Sequence, residues 1–189
     1  DVALALDGNN NILVYGLANL EKTGNKIKPR SWSKHKGPIN KIAYAEDGTY
    51  LASSSHTHEF ILWRADGSFV KEWRQEETIN AIAFSHDAKI LVGLNNAGKG
   101  FSYGVPEGNK FTDFNGHNGA VFAACFSPLD NGSYVVASAG GINNEIFLWN
   151  PINGKALRKV KGKGNAVQDL AFGAGLELFI SQDVNAKPN

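Results

Sequence analysis

Four short stretches of this 189-residue chain carry residue types that could do chemistry. Gly93-Leu94-Asn95-Asn96-Ala97-Gly98-Lys99-Gly100 approximates the GxxxxGK[ST] phosphate loop, in which backbone N–H groups and the lysine cradle phosphates. Gly100 stands where a hydroxyl must hold magnesium. Phe101 to Tyr103 predicts a strand where a helix N-terminus would have to face the anion, so the segment reads as a turn between strands. His56-Thr57-His58 sets two imidazoles on one side of an extended segment, with Glu59 beside them. No fourth ligand accompanies them, so a polar turn is expected and no metal is assigned. Asn131-Gly132-Ser133 is a formal glycosylation acceptor and equally a favoured hairpin turn. Cys125 is the sole cysteine and cannot form an internal disulfide; alternating with Phe126 on a strand, it is expected to be a small buried hydrophobe.

The elements that must position these residues repeat. Gly116-His117 precedes Val121 to Phe126-Ser127-Pro128, then Val135-Val136-Ala137-Ser138, then Ile146-Phe147-Leu148-Trp149. A second copy runs His35, Ile39 to Tyr44, Asp47-Gly48, Leu51-Ala52-Ser53-Ser54 and Phe60-Ile61-Leu62-Trp63. Tyr44, Phe84, Phe126 and Phe172 recur at intervals of 40 to 46 residues, the length of a four-stranded antiparallel blade. An ordinary β-sandwich also has short, evenly spaced strands, but nothing makes it repeat one strand pattern at a fixed period.

These motifs resemble the WD40 repeat family of β-propellers. The resemblance implies an all-β fold of four-stranded antiparallel blades and, within a blade, a lock in which His, Ser, Trp and Asp hydrogen-bond. His35, Ser53 and Trp63 match three of its members in one unit; His117, Ser138 and Trp149 match them in another. The Asp position aligns with Thr57 and Asn143, so both locks are expected to lack its charge and to be weaker. The intervening unit departs further, with Glu76-Glu77 in place of Gly-His and Tyr103 in place of Trp. No unit has the Trp-Asp dipeptide: Arg64 follows Trp63 and Asn150 follows Trp149.

Strand-by-strand alignment divides one propeller domain into a partial blade at 1–33, blades at 34–75, 76–115 and 116–162, and a partial blade at 163–189. The expectation is seventeen strands forming about four blades of a larger, seven-bladed ring. The open blade edges would then be covered by the rest of the propeller or by a partner chain. Trp32 and Trp73 end fourth strands at positions equivalent to Phe114 and Val160, and are expected to form a repeating apolar contact between blades.

Composition narrows the functional classes. A net charge of +1, from 19 basic and 18 acidic residues, argues against a dedicated nucleic-acid binder. No apolar run approaches a membrane span. One cysteine suits a reducing compartment, and the cytoplasm is the expected location. Charge is nevertheless local. Lys22, Lys26, Lys28, Arg30, Lys34 and Lys36 cluster about one fourth strand, and Lys155, Arg158, Lys159, Lys161 and Lys163 about another. The plain reading is a solvated rim that blocks edge pairing; the functional one is a basic rim for an acidic partner or a phosphate backbone.

In such an architecture the strand-connecting loops gather on two faces, and binding residues come from several blades. The fourth-to-first and second-to-third connections share one face. On it Lys36, Pro38, His56, His58, Asn95, Asn96, Asn118, Ile142, Asn143 and Asn165 are the candidate binding residues, because the blade pattern does not require them. The favoured function is a non-catalytic scaffold that binds a protein or peptide, as a sensor or docking module of a larger polypeptide. The alternative is an enzyme or small-ligand binder using the central channel. The inner strands offer only Lys41 and Asp169 as charged groups, too few for a positioned acid–base pair. No catalytic residue and no cofactor are assigned.

Overall fold

Short apolar runs, each stopped by an Asp-, Asn- or Gly-containing turn, build successive antiparallel meanders in the computed structural model, which describes residues 2–6, 10–16, 29–128, 132–161, 167–173 and 177–182. Strands β1 (Val2–Leu6), β2 (Asn11–Gly16) and β3 (Arg30–Ser33) form a three-stranded sheet. Three four-stranded sheets follow. The first joins β4 (Ile39–Tyr44), β5 (Tyr50–Ser55), β6 (Glu59–Arg64) and β7 (Phe69–Arg74). The second joins β8 (Ile79–Phe84), β9 (Ile90–Asn95), β10 (Gly100–Gly104) and β11 (Lys110–Phe114). The third joins β12 (Val121–Phe126), β13 (Val136–Gly140), β14 (Glu145–Trp149) and β15 (Ala156–Lys161). Strands β16 (Val167–Phe172) and β17 (Leu178–Gln182) make a final pair.

Turn chemistry explains where strands stop. Asp47 Oδ1 accepts the Thr49 N–H at 2.9 Å and Asp66 Oδ1 accepts the Ser68 N–H at 2.8 Å, each closing a side-chain-capped turn. The glycine that follows each aspartate has positive φ, 75° at Gly48 and 94° at Gly67, which a Cβ would strain. Between the turns, β5, β6, β9 and β10 are buried along almost their whole length. Such strands are covered on both faces, so their sequences are continuous apolar and small-residue runs with no polar alternation. The outer strands are more exposed, and β15 is exposed at every residue.

The sheets stack side by side through their broad faces. First strands β4, β8, β12 and β16 touch in succession, so they form a common inner line. Each apolar cluster lies between neighbouring sheets. Ile12, Val14 and Trp32 meet Ile39, Leu51, Ile61 and Trp63. Ala52, Phe60 and Leu62 meet Ile79, Leu91 and Tyr103. Val92, Leu94 and Phe114 meet Val121, Phe147 and Trp149. At these three seams a ring on the last strand of one sheet packs on the third strand of the next four-stranded sheet. Ring centroids lie 5.9 Å apart for Trp32–Trp63, 4.3 Å for Trp73–Tyr103 and 4.6 Å for Phe114–Trp149, the last two pairs stacked. Aromatic pairs of this kind contribute about 0.5–1.5 kcal/mol beyond the area they bury.

Two bulges recur as well. The first strands β4, β8, β12 and β16 skip a partner at Asn40, Asn80, Phe122 and Gln168, and the fourth strands β7, β11 and β15 at Val70, Phe111 and Leu157. A bulge leaves its extra residue outside the ladder and aims it away from the sheet.

The seam contact carries the stability. Phe114→Ala, at 2% exposure, is expected to cost about 3–5 kcal/mol in urea unfolding. Val160→Ala, at the equivalent position but 43% exposed, is expected to change stability by under about 1 kcal/mol. Equal losses would show that the seam is not what distinguishes the two sites.

Candidate functional site

The lock of the sheet β4–β7 is a continuous relay. Trp63 Nε1–H donates to Ser53 Oγ at 2.8 Å, and Ser53 Oγ lies 2.6 Å from His35 Nε2. Burial pushes the His35 pKa below its ordinary value, with Glu59 only partly opposing, so the imidazole is neutral at pH 7. Its Nε2 then accepts the Ser53 hydroxyl proton, and its Nδ1–H donates to Glu59 Oε2 at 3.4 Å. Glu59 is 1% exposed and also accepts from the Ser55 hydroxyl, the Thr57 hydroxyl at 2.8 Å and the Lys36 N–H at 3.3 Å. Burial alone would raise its pKa. The converging donors outweigh that and hold the carboxyl below its usual range.

This corrects the expectation of an uncharged lock in this sheet. Thr57 and Asn143 do occupy the turn, but the carboxylate comes two residues later, from the first residue of the third strand: Glu59 in one sheet and Glu145 in the other. Glutamate has one methylene more than aspartate and reaches back from the strand into the turn. The two locks are nonetheless different. In the sheet β12–β15, Trp149 Nε1–H donates to Ser138 Oγ at 3.1 Å and Ser138 Oγ lies 2.8 Å from His117 Nε2. Glu145 instead pairs with Lys159 at 2.7 Å, and His117 Nδ1 is buried without a hydrogen-bond partner. The position of Lys159 opposite Phe147 corresponds to that of Glu72 opposite Ile61. An acid at Glu72 cannot draw Glu59 outward, whereas Lys159 draws Glu145.

The middle sheet, β8–β11, has no such lock. Gln75 Nε2–H donates to Tyr103 Oη at 3.1 Å in its place. The serine position is Gly93, where a Cβ would come within 3.0 Å of the Phe60 ring.

These locks and seams hold a loop face at one end of the sheets. The His56 N–H donates to the Pro38 carbonyl at 2.9 Å, the Asn96 N–H to Thr78 at 3.1 Å and the Gly141 N–H to Ala120 at 2.8 Å. In each four-stranded sheet, therefore, one backbone bond ties the second-to-third turn to the loop before the first strand. Lys36, Pro38, His56, Asn96, Asn118, Ile142 and Asn143 are exposed there. His58 is half-buried in the turn with φ 68°. Asn118 Oδ1 accepts the Ile142 N–H at 3.0 Å, so it shapes the loop as well as facing solvent. Asn95 differs from the rest. It is 2% exposed, and its Oδ1 caps its own turn by accepting the Ala97 and Lys99 N–H groups. Asn165 and Asn131 lie outside the described residues.

Residues that the sequence reading passed over complete this face. The bulge residues Asn40 and Asn80 form a row across two sheets. Asn40 Nδ2 donates to the Ile79 carbonyl at 2.7 Å and to Asn80 Oδ1 at 3.1 Å, and Asn80 Nδ2 donates to Asn96 Oδ1. At the same bulge in the next sheet Phe122 is 43% exposed, and Ile142 nearby in the fold is 80% exposed. The available signal was a polar or misplaced residue breaking the alternation in Ile39-Asn40-Lys41-Ile42 and its counterparts.

The stretches that imitated chemistry are accounted for. Gly93–Gly100 spans the end of β9, a tight turn and the start of β10, with no helix. No cluster of His, Cys, Asp or Glu among the described residues could hold a metal ion. At the opposite end, a cavity of about 230 Å³ gathers Glu46, His86 and Cys125. His86 Nδ1 lies 2.7 Å from Glu46, but burial pushes the half-buried Cys125 thiol up to about 12, which leaves it protonated and unreactive.

Acid should weaken the locks. Burial drives His117 from 6.5 down to about 4 in the folded chain. Between those values the unfolded chain binds more protons, so stability falls as pH drops from 6.5 towards 4. The lowered Glu59 carboxyl adds a loss as pH falls below its unfolded value of about 4.5. Thermal melts across this range should show a falling midpoint, with a shallower slope in His117→Gln; an unchanged slope in that variant would contradict the assignment.

Comparison with known proteins agrees with this geometry. The family model "WD domain, G-beta repeat" matches residues 27–64 and 108–150. Each matched stretch runs from the outer strand of one sheet to the third strand of the next, and so contains one seam ring and one complete lock. The chain is also similar to Polyadenylation factor subunit 2 of Candida albicans, with 27% identity over 131 residues, 68% of this chain and 23% of that protein. It thus spans under a quarter of the relative's length. The two matched stretches, each with its His–Ser–Trp lock, are WD40 repeats.

Proposed function

We propose that the chain is a non-catalytic docking module whose loop face binds a polypeptide. The observation that carries this reading is the carboxamide row of half-buried Asn40 and Asn80 and exposed Asn96, continued by exposed Phe122 and Ile142. Carboxamides present both donors and acceptors, the groups a peptide backbone needs. Exposed Phe and Ile beside them supply apolar anchors of the kind that dominate protein–protein affinity when desolvated. All lie on turns and bulges held by a rigid scaffold, so the partner pays little of the ordering cost on this side. Lys36, His56, His58, Asn118 and Asn143 form the polar surround, with the exposed Pro38 ring among them. WD40 repeats generally serve as protein-interaction scaffolds, and the relative's name, a factor subunit, supports a place in a multi-protein assembly.

The test uses the full chain as bait and quantifies retained proteins against the Phe122→Ala, Ile142→Ala double variant. The partner is expected to be lost by at least about tenfold, roughly 1.4 kcal/mol, with the melting midpoint unchanged. Undiminished binding by a folded double variant would overturn the assignment of this face.

A further inference from the structure

We propose that the outer edge of β15 is a second docking surface, which takes an acidic polypeptide segment as an added strand. This goes beyond the loop-face reading and does not depend on it. β15 is the edge strand of its sheet, and all six of its residues are exposed. An edge strand presents alternate N–H and C=O groups with no partner, a template for another strand.

Charge separates β15 from the other fourth strands. β7 carries Lys71, Glu72 and Arg74, and β11 carries Lys110 beside Asp113, with which it is paired. β15 carries Arg158, Lys159 and Lys161, preceded by Lys155, and no acid. Lys159 is neutralised by Glu145, but Arg158, Lys161 and Lys155 have no acidic partner among the described residues. By contrast Lys34, in the other basic cluster, is engaged by Glu72 at 3.8 Å and lies over the Phe69 ring. Arg158 and Val160 share one side of β15, while Lys159 and Lys161 share the other. An added strand therefore meets positive charge whichever face its acids occupy.

The same charge selects the occupant. A second β15 would place like charges opposite each other, which is destabilising, whereas glutamates or aspartates at those places are favourable. β15 has no aromatic residue on which a base could stack, and a phosphate backbone makes no use of unpaired N–H and C=O groups. Leu157, the extra residue of the bulge, is 52% exposed and offers apolar contact to a polypeptide side chain.

Fluorescence anisotropy with the full chain tests this, using a labelled peptide of roughly eight residues that alternates glutamate and valine. Binding is expected to weaken at least about tenfold on raising salt from roughly 0.05 to 0.5 M. Arg158→Glu with Lys161→Glu is expected to weaken it at least about tenfold at low salt. On the unaltered protein, the same peptide N-methylated at every second residue should lose most of its affinity, because strand addition needs its N–H groups. The proposal is overturned if the methylated peptide binds equally well, if the charge-reversed variant binds as tightly, if the acidic peptide does not bind, or if single-stranded oligouridylate binds more tightly than the peptide. The methylation arm decides even where the charge-reversed variant fails to fold.

Discussion

No sheet in this chain can cover its own faces, and the rings laid across three of its seams are the constraint on which the rest depends. Trp32, Trp73 and Phe114 each reach across a seam to Trp63, Tyr103 and Trp149. The central strands are consequently buried on both sides, which admits serine and alanine at their middles. Small residues there leave room for the imidazole, hydroxyl and indole of the locks. A lock buried between two sheets is protected from water, so its hydrogen bonds are strong and its histidines remain neutral.

The locks in turn fix the loops. Glu59 gathers the Lys36 N–H, Ser55 and Thr57, and so joins the loop before β4 to the turn after β5. Asn40 and Ser54 both donate to the Ile79 carbonyl, which carries the same rigidity into the next sheet. A face assembled in this way is pre-organised. Its carboxamides, the Phe122 ring and the sec-butyl side chain of Ile142 suit recognition, with Lys36 and His56 exposed beside them.

Much of this was legible in the sequence because repetition exposes it. The spacing of Tyr44, Phe84, Phe126 and Phe172 marks the inner strands, and the His, Ser and Trp of two units mark the locks. The carboxylate was not legible. An alignment register points to Thr57 and Asn143, while side-chain reach, one methylene longer, supplies Glu59 and Glu145 from two residues downstream. Nor could the sequence show that Lys159 would take Glu145 away from His117, since that depends on which residue faces Phe147 across the β14–β15 ladder. The bulges were hidden for a related reason. A single skipped partner turns Asn40, Asn80 and Phe122 outward without altering the apolar run around them. Asn95 looked like its neighbour Asn96 in sequence, and only the closed turn shows one amide spent inside and the other left outside.

Under the docking proposal, seams and locks hold the loop face ready for a polypeptide. Amide hydrogen exchange on the full chain, with and without its captured partner, tests it most directly. New protection is expected at the starts of β4, β8 and β12 and at residues 140–143, with the turns at 45–49 and 65–68 unchanged. Protection confined to those opposite-end turns, with none on the loop face, would contradict it.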